Sequence, residues 1–248
     1  MAVDRNRPLA GRRIIITGAA SGIGLSTAQL FAEAGASLAL LDHDEEAVLA
    51  VAKRLGAFAV KADVSNYASV EAAVVQSAQT LLGLDGLVNL AGITTGKSLA
   101  DTSLDMWNNV IAVNLSGTFN LCKAVLPFLV EARSATIVNV ASSIGLLPTG
   151  NDPAYAASKG GVLAFSKTLA VAYAPKVRIN VLCPGATNTP ILEKTLGAEG
   201  VKKIVGIYPM QRIGEAGEMA EAALYLTSAA SSYITGISLP VDGGRTLH

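Results

Sequence analysis

The chain has 248 residues, 51% hydrophobic and 15% charged, with 19 Lys+Arg against 19 Asp+Glu and a net charge of zero. A charge content this far below the ~25% of an average soluble domain excludes a disordered chain, and the balanced charge offers no general field for phosphate backbones or anionic lipid. No run reaches the ~18 consecutive apolar residues of a membrane span, and the length fits one large α/β domain over residues 1–248.

At the N-terminus, Arg5, Arg7, Arg12 and Arg13 precede an apolar stretch of only Ile14–Ile16. That is too short for the core of a secretory signal, so a cytoplasmic location is expected. Short apolar runs then recur as strand candidates: Arg13–Thr17, Ser37–Leu41, Phe58–Lys61, Gly86–Asn89, Thr136–Val140, Arg178–Leu182 and Ile237–Val241. Between them, Ile23–Ala34, Glu45–Leu55, Ser69–Leu82, Leu104–Glu131, Ala154–Tyr173 and Glu218–Ser228 carry apolar residues at helical spacing. Strands without polar alternation are buried on both faces, so the pattern predicts a doubly wound Rossmann-type α/β domain, a parallel sheet of about seven strands with helices on both sides. Cys122 and Cys183 have no metal-ligand spacing and read as buried small hydrophobes; no metal site is expected.

The first strand runs into Thr17-Gly18-Ala19-Ala20-Ser21-Gly22-Ile23-Gly24, directly ahead of a helix. Glycines 18, 22 and 24 allow a sharp turn and a close approach to a pyrophosphate, and the helix start offers unpaired N–H groups to it. Asp42, at the end of the second strand, stands 18 residues beyond Gly24, close to where a carboxylate bridges the adenosine ribose hydroxyls. It would repel a 2′-phosphate, and Ser21 is not a basic residue, so NAD is expected over NADP. The alternative for Asp42 is a helix cap ahead of Asp44-Glu45-Glu46, while His43 reads as a solvated loop residue.

Tyr155 and Lys159 stand four residues apart, on one face of a helix opening near Pro153. Bringing a phenol from about 10 to neutrality requires roughly 4 kcal/mol, expected from Lys159 together with an oxidised, positively charged nicotinamide in a partly dry pocket. Ser142 follows the fifth strand, 13 residues before Tyr155.

These motifs, with Asp63-Val64, Asn89-Leu90-Ala91-Gly92, Asn114, Pro184-Gly185 and the closing Thr235-Gly236 to Val241-Asp242-Gly243-Gly244, resemble the short-chain dehydrogenase/reductase family in its short, cofactor-binding form over nearly the whole chain. The resemblance implies catalytic roles for Asn114, Ser142, Tyr155 and Lys159. Tyr155 would be the acid/base, Ser142 the donor orienting the substrate oxygen, Lys159 the ribose ligand that depresses the tyrosine pKa, and Asn114 the holder of a relay water. Substrate contacts fall on Ser142 and Tyr155. Cofactor contacts fall on Gly18, Ser21, Gly22, Ile23, Gly24, Asp42, Asp63, Val64, Asn89, Ala91, Gly92, Tyr155, Lys159, Pro184, Gly185, Thr187 and Thr189. Leu90 replaces the family's usual Asn, and Thr187 stands where Ile or Val is common.

The implied reaction interconverts a secondary alcohol and a ketone by hydride transfer to NAD, with proton transfer at Tyr155. A 3-oxoacyl-thioester reductase is the alternative, suggested by Tyr208–Gly214 and opposed by Asp42. Two remoter readings are an NAD-binding protein without catalysis and a hydrolase with Ser143 as nucleophile, Asp152 or Asp242 as orienter and His248 as base. The resemblance places the substrate pocket along the residues after Gly92, Ile144–Asp152 and the segment from Thr189 to about Tyr208; these offer Ile93, Thr94, Thr95, Leu146, Leu147, Asn151, Ile191, Leu192 and Tyr208, mostly apolar, favouring a neutral small-molecule alcohol or ketone. Lys194, Lys202 and Lys203 could instead meet an acyl-carrier or CoA phosphate, though a solvated helix face explains them more simply. In similar proteins the Leu104–Glu131 and Ala154–Tyr173 helices and the C-terminal strand pair subunits, so the apolar surplus implies a homotetramer or dimer.

Overall fold

In the computed structural model, which describes residues 7–247, every apolar run becomes a strand. They are β1 (Arg13–Thr17), β2 (Ser37–Asp42), β3 (Phe58–Lys61), β4 (Gly86–Asn89), β5 (Ala135–Val140), β6 (Val177–Pro184) and β9 (Ser238–Val241), joined by two short strands that no apolar run announces, β7 (Thr187–Asn188) and β8 (Gly214–Glu215). The helices are α1 (Gly22–Glu33), α2 (Glu45–Leu55), α3 (Tyr67–Leu81), α4 (Leu104–Ile111), α5 (Gly117–Leu129), α6 (Ser143–Leu146), α7 (Pro153–Tyr173), α8 (Pro190–Val205) and α9 (Ala216–Thr227). Residues Met1–Asn6, where the reading of the N-terminus partly falls, lie outside the described residues.

Seven strands form one parallel sheet in the order β3-β2-β1-β4-β5-β6-β9. Its core follows from the period of two along each strand. Ile15, Leu41, Leu87 and Ile137 face α3 and α5. Ile14, Ile16, Leu40, Val88 and Val138 face the opposite layer of α1, α2 and α9. Both faces are therefore apolar, as the unalternating runs require. The sheet's winding reverses between β1 and β4, the paired neighbours on either side of the switch point, and ligands of such sheets bind beyond the carboxyl ends of those strands.

Local signals set the helix ends. Asp44 caps α2, accepting from the Ala47 N–H, and Gly56 closes it in a left-handed conformation at φ +65°. Asn66 caps α3 through Ser69, so that helix starts at Tyr67, ahead of the Ser69 read from periodicity. In the helical stretch Leu104–Leu129, 56% of its most apolar 18-residue window is buried inside the protein, which accounts for its apolar composition. It is not uniform, because Ala112–Ser116 is a π-helical turn. The 190–205 segment, read from sequence only as a cover over the substrate, is the helix α8, interrupted by a non-helical Gly197. The β7-β8 pair joins the entry of α8 to the entry of α9.

Candidate active site

Backbone proximity shapes the nucleotide end of the sheet. Gly18 has φ +65°, and a Cβ there would sit 2.9 Å from the Ala91 backbone N. A Cβ on Gly24 would lie 1.9 Å from the Gly18 carbonyl oxygen, so only glycine lets α1 start this close to β1. Ser21 precedes α1 in an extended conformation and its side chain caps no N–H, leaving the first-turn amides of Gly22, Ile23 and Gly24 without a side-chain partner among the described residues. An open helix start beneath a glycine turn is a cradle for an anion. The Thr17 hydroxyl accepts from the Leu90 and Ala91 N–H groups at 3.1 and 3.2 Å, fixing the loop after β4 beside this turn. Across the cradle, the Thr189 methyl would meet a Cβ on Gly22 at 3.2 Å, which brings the 184–189 loop onto the same edge.

Asp42 is 8% exposed at the end of β2. Its carboxylate accepts from the Ala20 N–H in the glycine turn at 3.0 Å and from the Asp44 N–H at 3.1 Å. The helix cap belongs to Asp44, so Asp42 faces the glycine turn. His43, whose side chain is 88% exposed, has its Nδ1 2.9 Å from an Asp42 oxygen.

Ser142 leaves β5 in extended backbone and accepts from the Ile144 N–H at 3.2 Å, starting α6. Its hydroxyl lies near the Tyr155 phenol. Lys159 is 5% exposed, one turn further along α7, and its ammonium lies 5.6 Å from the Tyr155 ring centre. It donates to the Val140 carbonyl at 2.8 Å. Of the three donors an ammonium carries, the remaining ones have no partner among the described residues. A buried ammonium with spare donors suits a pair of ribose hydroxyls, and with the glycine cradle and Asp42 the donor set fits a dinucleotide.

Without a bound cofactor the Tyr155 phenol stands above its ordinary value, because burial raises it, the nearby Ser142 hydroxyl only partly offsets this, and Asp152 adds to the rise. The expected lowering draws on Lys159 together with an oxidised nicotinamide. Burial also pushes Lys159 itself down to about 8.

Asn114 is fully buried in the π-helical turn. Its Oδ1 accepts from the Ile93 N–H at 2.8 Å, and its Nδ2 donates to the Ile93 carbonyl at 2.9 Å and the Ser158 hydroxyl at 3.0 Å. The side chain thus ties the loop after β4 to α7. A Cβ on Gly92 would sit 3.3 Å from Asn114 Oδ1 and 3.5 Å from Lys159 Nζ, so these three residues converge.

Other predicted positions serve the frame. Asn89 points inward, donating to Asn139 Oδ1 at 2.7 Å. Asp63 is exposed, its carboxylate accepting from the N–H and hydroxyl of Ser65. Val64 packs on Gly117, where a Cβ would come within 2.9 Å of its Cγ2. Pro184 ends β6 and the Gly185 N–H donates to the Val241 carbonyl. Thr187 is buried with its hydroxyl on the Gly185 carbonyl, and Thr189 caps α8. Tyr208, proposed as pocket lining, is buried with its phenol oxygen accepting from the Ala186 N–H, so it braces this loop instead. Ser143 is buried and bonded to Arg245, while Asp242 accepts from Gly244 and Thr246; neither meets a base, and His248 lies outside the described residues.

One residue at this edge escaped the sequence reading of the reductase site. Arg245 donates to the Ser143 hydroxyl and the Leu147 carbonyl, holding α6 from the C-terminal segment, and nothing local signals it. Asp152 gathers the loop after β4 onto the start of α7. The sequence reading had it only as the end of the pocket-lining stretch 144–152 and as an orienter in the hydrolase alternative; an Asp directly before Pro153, at a helix start, was the signal for its capping role.

Comparison with known proteins agrees with this arrangement. A family model described as enoyl-(acyl carrier protein) reductase matches residues 18–246. The 2,5-dichloro-2,5-cyclohexadiene-1,4-diol dehydrogenase LinX of Sphingobium indicum is 36% identical over 242 residues, covering 95% of this chain and 96% of LinX. The 3-oxoacyl-[acyl-carrier-protein] reductase FabG of Thermotoga maritima is 36% identical over 245 residues, covering 96% of this chain and 99% of FabG. The crystal structure of levodione reductase superposes with a TM-score of 0.92 at 32% identity, covering 95% of this chain and 98% of that one. The chain belongs to the short-chain dehydrogenase/reductase family and is a nicotinamide-dependent oxidoreductase acting on the alcohol/ketone pair.

Proposed function

We propose that the chain is an NAD-dependent dehydrogenase of a neutral, partly apolar secondary alcohol, with Tyr155 as its acid/base. The observation that carries the cofactor preference is the buried Asp42 carboxylate held on the Ala20 N–H. A phosphate on the adenosine ribose would have to share that space with a fixed negative charge. A bound nicotinamide supplies the hydride acceptor and, when oxidised, a positive charge that favours the phenolate.

The protein's own part is proton handling and orientation. The Tyr155 phenolate takes the hydroxyl proton of the alcohol, and in the reverse direction the phenol returns it to the developing alkoxide. Ser142, beside the Tyr155 phenol, donates to the same substrate oxygen, where charge grows during the reaction. Lys159 holds a ribose through its spare donors and keeps a cation behind the phenol. Asn114 supports both through Gly92 and Ser158. Thr94, Thr95, Leu146, Leu147 and Ile191 remain the pocket candidates, with no buried charge among them.

The similarity to FabG keeps a 3-oxoacyl-thioester reductase as a second reading, opposed by Asp42. Lys202 pairs with Glu199 at 2.9 Å, which reduces what α8 could offer a carrier phosphate. NAD and NADP, each assayed with polyols, hydroxy acids, secondary alcohols and acetoacetyl thioesters, separate the two. Turnover of a secondary alcohol with NAD is expected, and a more than about tenfold preference for NADP, worth roughly 1.4 kcal/mol, refutes the role of Asp42. An assembly of subunits through α5 and α7 belongs to the same proposal, supported by the apolar groove of Phe119, Leu126, Phe165, Leu169 and Tyr173.

A further inference from the structure

Asp152 is the residue the reaction scheme leaves unused and the structure treats with most care. It is 5% exposed, yet its backbone is left-handed at φ +53° and ψ +64°, a conformation uncommon outside glycine. Its Oδ2 accepts from the Thr94 hydroxyl, the Thr95 N–H at 3.0 Å and the Gly96 N–H at 2.8 Å. Its Oδ1 accepts from the Thr95 hydroxyl at 2.9 Å and the Tyr155 N–H at 3.2 Å, and its own N–H donates to the Lys97 carbonyl at 3.0 Å. One carboxylate thus holds the loop at 94–97 and caps the helix that carries Tyr155.

This loop leaves the carboxyl end of β4, on the edge where Gly18 and Ser142 lie. Its other side meets α8, since a Cβ on Gly96 would fall 2.9 Å from the Thr195 methyl. Asp152 therefore stands between two candidate walls of the substrate pocket and the proposed acid/base. A helix cap alone needs one acceptor oxygen. The second oxygen, turned wholly onto loop donors, serves a different end.

We propose that Asp152 is a positioning residue that locks the Thr94–Lys97 wall of the substrate pocket to the N-terminus of α7, setting substrate placement against Tyr155. The proposal rests on the reading of Tyr155 as the acid/base. It extends to the charge around the phenol. The groups facing Tyr155 are the Ser142 hydroxyl from the end of β5, Lys159 on α7, with the Cys183 thiol of β6 behind Lys159, and the Asp152 carboxylate. Hydrogen bonds from the loop hold the Asp152 carboxyl below its ordinary value despite burial, so it remains negative at neutral pH and opposes formation of the phenolate. Cys183 is pushed up to about 12 and stays neutral there.

The informative variant is Asp152→Asn. Its remaining oxygen can still accept from Tyr155, whereas its NH2 group, placed at Oδ2, would face the Thr95 and Gly96 N–H groups and release the loop. Gly96→Ala is the companion: it strains a φ of +64° and crowds Thr195 while leaving the Asp152 charge intact. Steady-state kinetics with the alcohol identified in the substrate panel, NADH affinity by protein fluorescence and thermal melting are measured for both, beside Tyr155→Phe. Asp152→Asn is expected to raise KM by about tenfold or more, leave the NADH Kd within about twofold, and move the rise of kcat with pH to lower pH. Gly96→Ala is expected to raise KM without moving that pH profile. Asp152→Asn with unchanged KM and an unmoved pH profile overturns the proposal, including where only its melting temperature falls. If Tyr155→Phe retains turnover, the underlying reading fails instead; if Tyr155→Phe is inactive and Asp152→Asn behaves as wild type, only the role of Asp152 fails.

Discussion

Replacing Lys159 with Met removes a cation that the site needs and the fold does not. Burial takes the ammonium from its ordinary 10.5 to about 8, which at about 1.4 kcal/mol per factor of ten puts about 3 kcal/mol against the charged form in the folded chain. Lys159→Met relieves that cost, and Met fills the space of the side-chain stem. The lost hydrogen bond to the Val140 carbonyl returns about 1–2 kcal/mol of it. The free variant is therefore expected to be more stable than wild type by about 1–2 kcal/mol near neutral pH, a rise in Tm of roughly 2–8 °C for a chain of this size.

The sign of the pH dependence is specific. Below about pH 8 the lysine is charged in both folded and unfolded chains and the penalty is complete. Between about 8 and 10.5 the unfolded chain binds the extra proton, so wild-type stability gains on the variant as pH rises. Above that window both forms are neutral and the contribution of this group to the difference is gone. Thermal unfolding of both proteins across this range, with turnover measured in parallel, tests the account. A variant that is inactive but more stable near neutrality, with an advantage that shrinks toward pH 10.5, is expected. Equal or lower stability near neutrality, with a difference that ignores pH, refutes the premise that a buried, under-bonded ammonium is held here at the expense of stability.

Other consequences follow from the same geometry. Gly18→Ala places a Cβ 2.9 Å from the Ala91 N in a left-handed turn, so titration calorimetry should show NADH binding weakened by about tenfold or more, with the protein still folded. Cys122 and Cys183 are both buried and both pushed up to about 12 by burial, so a disulfide-exchange reagent should label neither thiol in the native protein and both after unfolding; fast labelling of either would show that its surroundings are open.

Much of this arrangement was legible because its causes are local. Ile14–Ile16 and Leu38–Leu41 are apolar on both pleat faces, and such strands require helices above and below. Gly18 and Gly24 are dictated by backbone approach, which tolerates only one residue type, so the turn could be read directly. Asp42 could be told from a helix cap only once Asp44 was seen taking the Ala47 N–H. The π-helical turn at Ala112–Ser116 was not legible, since its residues keep ordinary helical composition and its Asn114 bonds to Ile93 and Ser158, far along the chain. The resting state of Tyr155 was not legible for a related reason. A four-residue spacing announces that Lys159 is near, but how far burial and Asp152 raise the phenol is determined only in the folded chain.

The low charge content takes on a further meaning once burial is known. Among the described residues the buried ionisable carboxylates and ammonium are Asp42, Asp152, Lys159 and Asp242, and all belong to the carboxyl-terminal edge of the sheet. Asp42 ends β2, Lys159 bonds the last carbonyl of β5, Asp152 holds the loop after β4, and Asp242 follows β9. A buried charge is costly wherever it stands, and each carboxylate here is supported by backbone N–H groups: Ala20 and Asp44 for Asp42, Thr95 and Gly96 for Asp152, Gly244 and Thr246 for Asp242. Loops leaving parallel strands supply such unpaired amides, and regular sheet and helix interiors do not. The same edge that can stabilise buried anions is therefore the one that can present them to a ligand. Lys159 is the exception, a buried cation with one carbonyl partner and spare donors, and that deficit in bonding is what makes it the group most dependent on something bound beside it.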